Sequence, residues 1–210
     1  MSKLQDVENA VVSGKSKLVA GLVQEALDEG CSAPDILNGM INAMGIVGER
    51  FKKNEIFVPE MLVPARAMKK GVDVLKPHLA SGSAGVCGKA IIGTVAGDLH
   101  DIGKNLVAMM IESAGFEVID LGVDVPVEKF IETVKANPDV KIVGCSALLT
   151  TTMPALKSTV EALNSEDFRS HIKVMVGGAP ITQEFADEIG ADAYTPDAAS
   201  AAQKAKELVA

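Results

Sequence analysis

Aromatic residues are scarce in this chain: they make up 3% of its 210 residues, and tryptophan is absent. Proteins that bind single-stranded nucleic acid stack bases on aromatic rings, and duplex or membrane-surface binding needs a basic face. The chain carries 20 basic against 28 acidic residues, a net charge of −8. The composition therefore argues against nucleic acid and anionic membranes as partners.

Cysteine is also scarce, and long apolar runs are missing. The three cysteines, Cys31, Cys87 and Cys145, are odd in number and widely spaced, which favours a reducing compartment over a disulfide framework. Cys145 lies in an apolar run and is predicted to be a core thiol. Neither a signal peptide nor a stretch of membrane-spanning length is found. We therefore expect a cytoplasmic protein without a membrane anchor.

The first part of the chain has the pattern of helices only. Apolar residues between positions 3 and about 78 repeat at helical spacing, and Ser32, Pro34 and Asp35 form a helix start with a capping residue. About four helices with short connections predict an antiparallel four-helix bundle. Small, turn-prone residues at 80–88 predict a linker. We place a domain boundary there, giving domains of residues 1–88 and 89–210.

The second part alternates between strands and helices, which predicts a parallel sheet with right-handed crossovers. The spacing suits a flavodoxin-like, or Rossmann-like, α/β fold with the strand order 2-1-3-4-5 and helices on both faces. The predicted strands are 90–95, 117–121, 141–146, 172–176 and 193–194.

Unusual residues follow strands one, three and four, which are neighbours in this order. Ligands of such sheets bind at the carboxyl ends of the strands, near the switch in strand order. We therefore expect a site there. The candidate residues are Gly97, Asp98, Leu99, His100, Asp101, Ile102 and Gly103 after strand one, Ser146, Leu148, Thr150 and Thr152 after strand three, and Gly177 and Gly178 after strand four.

His100 is the candidate metal ligand. It is one of three histidines, and Asp98 is two residues away, where a carboxylate can fix the tautomer of a metal-ligating imidazole. The sequence contains no Cys/His cluster with zinc spacing. A single protein ligand suffices when the metal arrives in a macrocycle that fills its equatorial positions. The residues therefore indicate haem or a corrinoid.

The three segments together resemble the cobalamin-binding signature Asp-x-His-x-x-Gly, Ser-x-Leu and Gly-Gly, in order, spacing and strand context. The helical part resembles the methylcobalamin cap of methionine synthase and of small corrinoid proteins, on residues 48–51, 56–62 and 65–68. The resemblance covers nearly the whole chain. It implies a free-standing corrinoid protein of a three-component methyltransferase, of the kind used on methoxylated aromatics, methylamines, methanol or glycine betaine.

The resemblance also implies roles for single residues. His100 would replace the nucleotide base of cobalamin or a related corrinoid as lower cobalt ligand (base-off/His-on), and Asp98 would bind its far nitrogen. Thr152 would extend this His100–Asp98 hydrogen-bond chain toward solvent, and Ser146 would contact the displaced nucleotide tail. Gly177 and Gly178 would line the channel for that tail.

Phe51 and Val58 fall where the family places apolar side chains over the cobalt-bound methyl group. The family often has leucine where Val58 stands, and both residues could equally belong to the core of the bundle.

The implied function is that of a methyl carrier and not of a complete enzyme. Co(I) would accept a methyl group from a substrate:corrinoid methyltransferase. Methyl-Co(III) would deliver it to a second methyltransferase with a tetrahydrofolate or thiol acceptor, and a reductive activation protein would serve the cofactor. His100 would bind in the methylated state and leave, with proton uptake, in the reduced state.

Three other functions are weighed against this one. The small subunit of an adenosylcobalamin mutase shares the His100 signature, but the helical bundle argues against it. A B12-dependent sensor is disfavoured by the acidic charge and the lack of a DNA-binding segment. A phosphorylation receiver has the same strand order, but it needs an acidic cluster after strand one and leaves His100 unexplained.

Overall fold

The computed structural model describes residues 3–79 and 87–210, which form two compact units. One unit comprises Met1–Cys87 together with Ser113–Gly115, and the other comprises Gly88–Glu112 with Phe116–Ala210. The linker predicted at 80–88 falls for the most part on residues 80–86, outside the described residues.

The first unit is a bundle of helices, as predicted. The bounds are α1 Lys3–Val12, α2 Ser16–Asp28, α3 Ala33–Lys52 and α4 Val58–Leu75, followed by a 3-10 turn at Lys76–His78. Helices α1 and α2 pack on each other, α3 packs on α1, and α4 packs on α2 and α3. The apolar stripe of α3 is buried and consists of Ile36, Met40, Ile41, Met44 and Val47.

Local sequence signals explain where these helices begin. The backbone N–H of Asp35 donates to the Ser32 hydroxyl at 3.2 Å, so Ser32 caps α3 as predicted. At the start of α4, the backbone N–H of Phe57 donates to the Glu60 carboxylate at 2.9 Å. The first bond satisfies a backbone donor in the first turn of α3, and the second satisfies the backbone donor of the residue before α4.

The second unit is a five-stranded, all-parallel sheet with the order β2-β1-β3-β4-β5, as predicted. Every strand is followed by a helix, which is the connection that parallel neighbours require. The elements are β1 Gly88–Val95, α5 Ile102–Ser113, β2 Phe116–Val125, α6 Val127–Ala136, β3 Val140–Ser146, α7 Met153–Asn164, β4 Lys173–Gly177, α8 Gln183–Glu188, β5 Ala193–Tyr194 and α9 Ala198–Val209.

The central strands form the core of this unit. Residues 90–95 of β1 are all buried, because helices cover a parallel sheet and its inner strands become apolar throughout. Cys145 of β3 is 2% exposed, which confirms the prediction of a core thiol. Burial raises the pKa of this thiol to about 12, so Cys145 is a packing residue and not a nucleophile.

Strand β2 is longer than predicted. The predicted strand ends at Leu121, and the residues that follow, Gly122 and Asp124, are of types common in turns. Both have positive φ, +85° and +53°, yet the strand continues to Val125. The pairing with β1 shifts register twice, between Ile92 and Gly93 and between Gly93 and Val95, so β2 stays in the sheet by bulging.

Each helix within residues 3–79 and 87–210 is too short or too polar to span a bilayer.

Candidate functional site

The ends of β1, β3 and β4 lie side by side at one edge of the sheet. Thr94 pairs with Ser146, and Ser146 pairs with Gly177, so the three strands end at nearly the same level. The loops that follow them carry most of the predicted site residues.

Asp98 and His100 form the centre of the site. The Asp98 side chain is fully buried, whereas that of His100 is 48% exposed. Asp98 Oδ1 lies 2.7 Å from Nδ1 of the imidazole and accepts the backbone N–H of His100 at 3.1 Å. Among the described residues, Nε2 has no hydrogen-bond partner. The pair therefore holds one ring nitrogen and leaves the other free to bind a ligand.

The second oxygen of Asp98 binds the loop after β3. Oδ2 accepts the backbone N–H of Leu148 and the hydroxyl of Thr152, both at 2.7 Å. The Thr152 hydroxyl also lies 2.9 Å from the carbonyl of Leu149, a second acceptor. Thr152 is only 5% exposed, so this end of the hydrogen-bond chain lies in the protein interior and not at the solvent.

Two opposing effects set the ionisation of Asp98. Burial is the largest single influence and raises the pKa, because it penalises the charged carboxylate. The hydrogen bonds from Leu148, Thr152 and His100 together outweigh burial and hold the pKa of Asp98 well below its ordinary value. Asp98 is thus an anion at neutral pH that accepts the Nδ1 proton of His100, which leaves the lone pair of the imidazole on Nε2.

Thr94, which was not predicted from the sequence, connects the loop after β1 with the end of β3. Its hydroxyl donates to the backbone carbonyl of His100 at 2.9 Å and lies 2.9 Å from the hydroxyl of Ser146, which then acts as donor. Thr94 is 1% exposed. The available signal was a single polar side chain within the buried apolar strand at 90–95.

Gly178 permits the loops after β3 and β4 to meet. A Cβ at this position would overlap the backbone carbonyl of Ala147, and its φ of +135° is one that L side chains rarely adopt. At neighbouring Gly177 the carbonyl accepts the N–H of Ala147 at 3.2 Å. Gly178 is therefore required by the backbone approach even before any ligand is considered.

Exposed apolar side chains flank His100. Leu99 is 72% exposed and Ile102 83%, and Leu148 and Leu149 are each 41% exposed. Large apolar groups left open beside a polar anchor are typical of a ligand-binding surface.

The remaining predicted residues are placed as follows. Asp101 and Thr150 are exposed in the same loops, and Gly103 is exposed in the first turn of α5. Asp101 accepts the side-chain amide of Asn105 at 3.1 Å. Phe51 and Val58 belong to the other unit, where Phe51 is half-buried near the end of α3 and Val58 is exposed as the first residue of α4.

The donor set fits a metal held in a macrocycle. No group of three or more His, Cys, Asp or Glu side chains within residues 3–79 and 87–210 could bind a free metal ion. One exposed imidazole nitrogen, with a carboxylate behind it and apolar side chains around it, supplies a single axial ligand and a surface for a flat apolar ring. His100 would be the metal ligand of such a group.

Comparisons with known proteins show which family this chain resembles. The B12 binding domain family matches residues 88–204, and a second family, also described as a B12 binding domain, matches residues 4–76. The dimethylamine corrinoid protein of Methanosarcina barkeri is 46% identical over 209 residues, which are 99% of this chain and 97% of that protein.

Two solved structures have the same fold. A cobalamin-binding protein from Desulfitobacterium hafniense superposes with a TM-score of 0.82 at 32% identity, covering 99% of this chain and 98% of that one. A chain of the methanol:cobalamin methyltransferase complex from Methanosarcina barkeri superposes with a TM-score of 0.84 at 28% identity, covering 99% and 79%.

Proposed function

We propose that this chain, which belongs to the family of corrinoid proteins with a B12 binding domain, carries a methyl group on corrinoid cobalt between two methyltransferases. The bound corrinoid supplies a cobalt centre that takes up and gives away a methyl group. The observation that carries the proposal is the Asp98–His100 pair, in which a buried anion holds Nδ1 and leaves Nε2 exposed.

His100 is proposed to bind the cobalt through Nε2, in place of the nucleotide base of the cofactor. Asp98 keeps the proton on Nδ1 and increases the basicity of the ring, and the bonds from Leu148 and Thr152 keep Asp98 ionised. A proton taken up at Nε2 ends the ability of His100 to donate its lone pair, and Asp98 then stabilises the imidazolium. This proton uptake would accompany release of His100 from the cobalt.

The other predicted residues take part around this centre. Residues 1–88 are proposed to be the cap, with Phe51 and Val58 over the methyl group, and residues 89–210 to bind the corrinoid. Ser146, Gly177 and Gly178 are proposed to contact the nucleotide tail. The further proposed contacts come from Gly97, Leu99, Asp101, Ile102, Gly103, Leu148 and Thr150.

A methylated amine is the proposed methyl donor. The support is the 46% identity to a dimethylamine corrinoid protein over 99% of this chain. One partner is then an amine:corrinoid methyltransferase. The second is a methyltransferase with a thiol or tetrahydrofolate acceptor, and a reductive activation protein completes the system.

The ligand assignment is tested by spectroscopy of the purified protein. Apoprotein is loaded with hydroxocobalamin, and its absorption spectrum is recorded together with the electron paramagnetic resonance spectrum of the Co(II) state. We expect a base-off cofactor with nitrogen hyperfine splitting in the wild type and loss of that splitting in His100→Ala. His171→Ala is the matched control, because His171 is exposed before β4 and should leave the spectra unchanged. An unchanged spectrum in His100→Ala refutes the assignment.

The donor is tested with the loaded wild-type protein, reduced to the Co(I) state with a low-potential chemical reductant, and with purified amine and methanol methyltransferases. Formation of the methylated cofactor is followed by absorption with dimethylamine, monomethylamine or methanol as donor. Methylation with methanol alone would contradict the amine assignment while leaving the carrier function in place.

A further inference from the structure

The end of β2 departs from a regular strand beside the loop 96–101 that follows β1 and contains Asp98 and His100, here called the signature loop. Between Gly93 and Val95 the β1–β2 pairing shifts register, and the extra stretch of β2 contains Asp124. Asp124 has φ +53°, a backbone conformation that is unfavourable for a residue with a Cβ. Bulges and such conformations persist where the surrounding contacts require them, and both are frequent beside functional sites.

Asp124 makes two hydrogen bonds to consecutive residues of the signature loop. Its carboxylate Oδ1 accepts the backbone N–H of Gly97 at 2.7 Å, and its own backbone N–H donates to the carbonyl of Asp98 at 2.9 Å. The first is a charge-assisted bond to the residue directly before Asp98. The side chain and the backbone of Asp124 thus hold the two ends of the Gly97–Asp98 peptide segment, the N–H of Gly97 and the carbonyl of Asp98.

The position of that peptide decides where the Asp98 carboxylate lies. This carboxylate must reach Nδ1 of His100 with one oxygen and the loop after β3 with the other, at 2.7 Å in both directions. The His100 side chain is about half exposed, and within the described part of the chain His100 makes hydrogen bonds to Asp98 and Thr94 only. A displacement of the Gly97–Asp98 peptide therefore passes directly to the imidazole.

We propose that Asp124 is a positioning residue for the cobalt ligand: it clamps the Gly97–Asp98 peptide to the bulged end of β2 and thereby orients the Asp98–His100 pair. The inference rests on the proposed function only in naming cobalt as the ligand's target. The clamp itself belongs to the apoprotein and is measurable without cofactor.

Three substitutions separate the hydrogen bond from the backbone conformation. Asp124→Asn keeps an acceptor and tolerates positive φ, Asp124→Ala removes the acceptor and keeps the unfavourable φ, and Asp124→Gly removes the acceptor but relieves φ. Glu128→Ala is the matched control, because Glu128 is an exposed carboxylate in the first turn of α6. Each protein is measured for hydrogen exchange of the Gly97 amide without cofactor, for hydroxocobalamin affinity and for nitrogen hyperfine splitting of the Co(II) state.

The expected results follow from the loss of one charge-assisted bond, which corresponds to about tenfold in an equilibrium constant. Alanine and glycine variants should exchange the Gly97 amide about tenfold faster, bind hydroxocobalamin about tenfold more weakly and lose part of the splitting. Glycine alone should regain thermal stability. Asparagine keeps the bond without its charge assistance and should show an intermediate loss of about threefold, whereas the Glu128 control should stay within about twofold of wild type.

The clamp would be overturned by wild-type exchange and affinity in Asp124→Ala, or by an equal loss in Glu128→Ala. A loss in Asp124→Asn as large as in Asp124→Ala would show that charge and not the bond is responsible, and would also overturn it. Absence of nitrogen splitting in the wild type refutes the proposed function instead, while the Gly97 exchange still tests the clamp.

Discussion

Asp98→Asn is the substitution that probes the site most directly. All four groups around the carboxylate are hydrogen-bond donors: the N–H of Leu148, the hydroxyl of Thr152, and the backbone N–H and Nδ1 of His100. A carboxylate accepts all four. A carboxamide of the same shape has one accepting oxygen, and its NH2 group then faces two donors.

Neither orientation of the amide restores the site. With NH2 toward His100, the backbone N–H of His100 loses its acceptor. Nδ1 must then accept a hydrogen bond from the amide, which moves the ring proton to Nε2 and would prevent that nitrogen from binding a metal. With NH2 toward the β3 loop, the N–H of Leu148 loses its acceptor, while the Thr152 hydroxyl turns to the carbonyl of Leu149 at 2.9 Å.

The magnitude follows from this count. In either orientation one backbone N–H is left without its partner, at a cost of about 1–3 kcal/mol, and the surviving bonds lose their charge assistance, at about 1 kcal/mol. We expect Asp98→Asn to lower the free energy of unfolding by about 3 kcal/mol at pH 7. Cobalamin affinity should fall about 10–100-fold, as for other carboxylates behind a metal-ligating histidine.

Urea unfolding of the apoprotein measures this loss. Tyr194 on β5 is the only tyrosine of a chain without tryptophan, so tyrosine fluorescence reports on the sheet unit alone. Asp139→Asn is the control, because Asp139 is an exposed carboxylate that pairs with Lys89 at 3.1 Å. A loss below about 1 kcal/mol for Asp98→Asn, or one equal to the control, refutes the reasoning.

The same pair of proteins has a defined pH dependence. The folded state lowers the pKa of Asp98, so the unfolded state binds its proton first. The stabilisation is complete above the unfolded pKa of about 4 and is lost as pH falls through the folded value. The contribution of the Asp98 carboxylate to the difference in unfolding free energy between wild type and Asp98→Asn should therefore shrink as the pH falls below about 4. A difference that grows below about pH 4 contradicts the assignment.

Two further substitutions test the surroundings of the site by urea unfolding, each with its own matched variant. Gly178→Ala should cost about 4 kcal/mol, from overlap with the carbonyl of Ala147 and an unfavourable φ, whereas Gly177→Ala, whose Cβ would lie 3.4 Å from the nearest atom, should cost about 1 kcal/mol. Similar losses in the two glycine variants would contradict the close approach of the loops. Asp120→Ala should cost about 3 kcal/mol, because the Lys104 ammonium, 3% exposed and 2.6 Å from Asp120, is left without its counter-charge. Lys104→Met removes the buried charge itself and should cost about 1 kcal/mol. A larger loss for Lys104→Met than for Asp120→Ala would contradict the uncompensated Lys104 charge as the cause.

The architecture was predictable because its signals are local. The alternation of apolar strands and amphipathic helices sets the element order, and the capping residue Ser32 marked the start of α3 within one residue. The end of β2 was not predictable in this way. Gly122 and Asp124 have the chemistry of a turn, and only the pairing with β1 shows that the strand bulges and continues.

The site was predictable where it depends on side chains that are rare for their place. His100, with Asp98 two residues before it, stood out from the sequence, and strand order placed the segments after β3 and β4 beside it. Thr94, Asp124 and the backbone N–H of Leu148 did not stand out. Their contacts join residues 6, 27 and 50 positions apart, and such pairings leave no pattern in a single sequence.

The hydrogen bonds of Asp98 also set an order of events during folding. Its two partners on the β3 loop lie 50 and 54 positions later in the chain. During synthesis, β1 and the signature loop emerge long before Leu148 and Thr152, and until the β1–β3 ladder closes Asp98 has neither partner. A nascent chain or fragment that ends before β3 therefore contains the histidine but not a ligand-ready imidazole. Under the proposed function, capture of the cofactor through His100 is therefore a late event, because it requires the completed β1–β3 pairing.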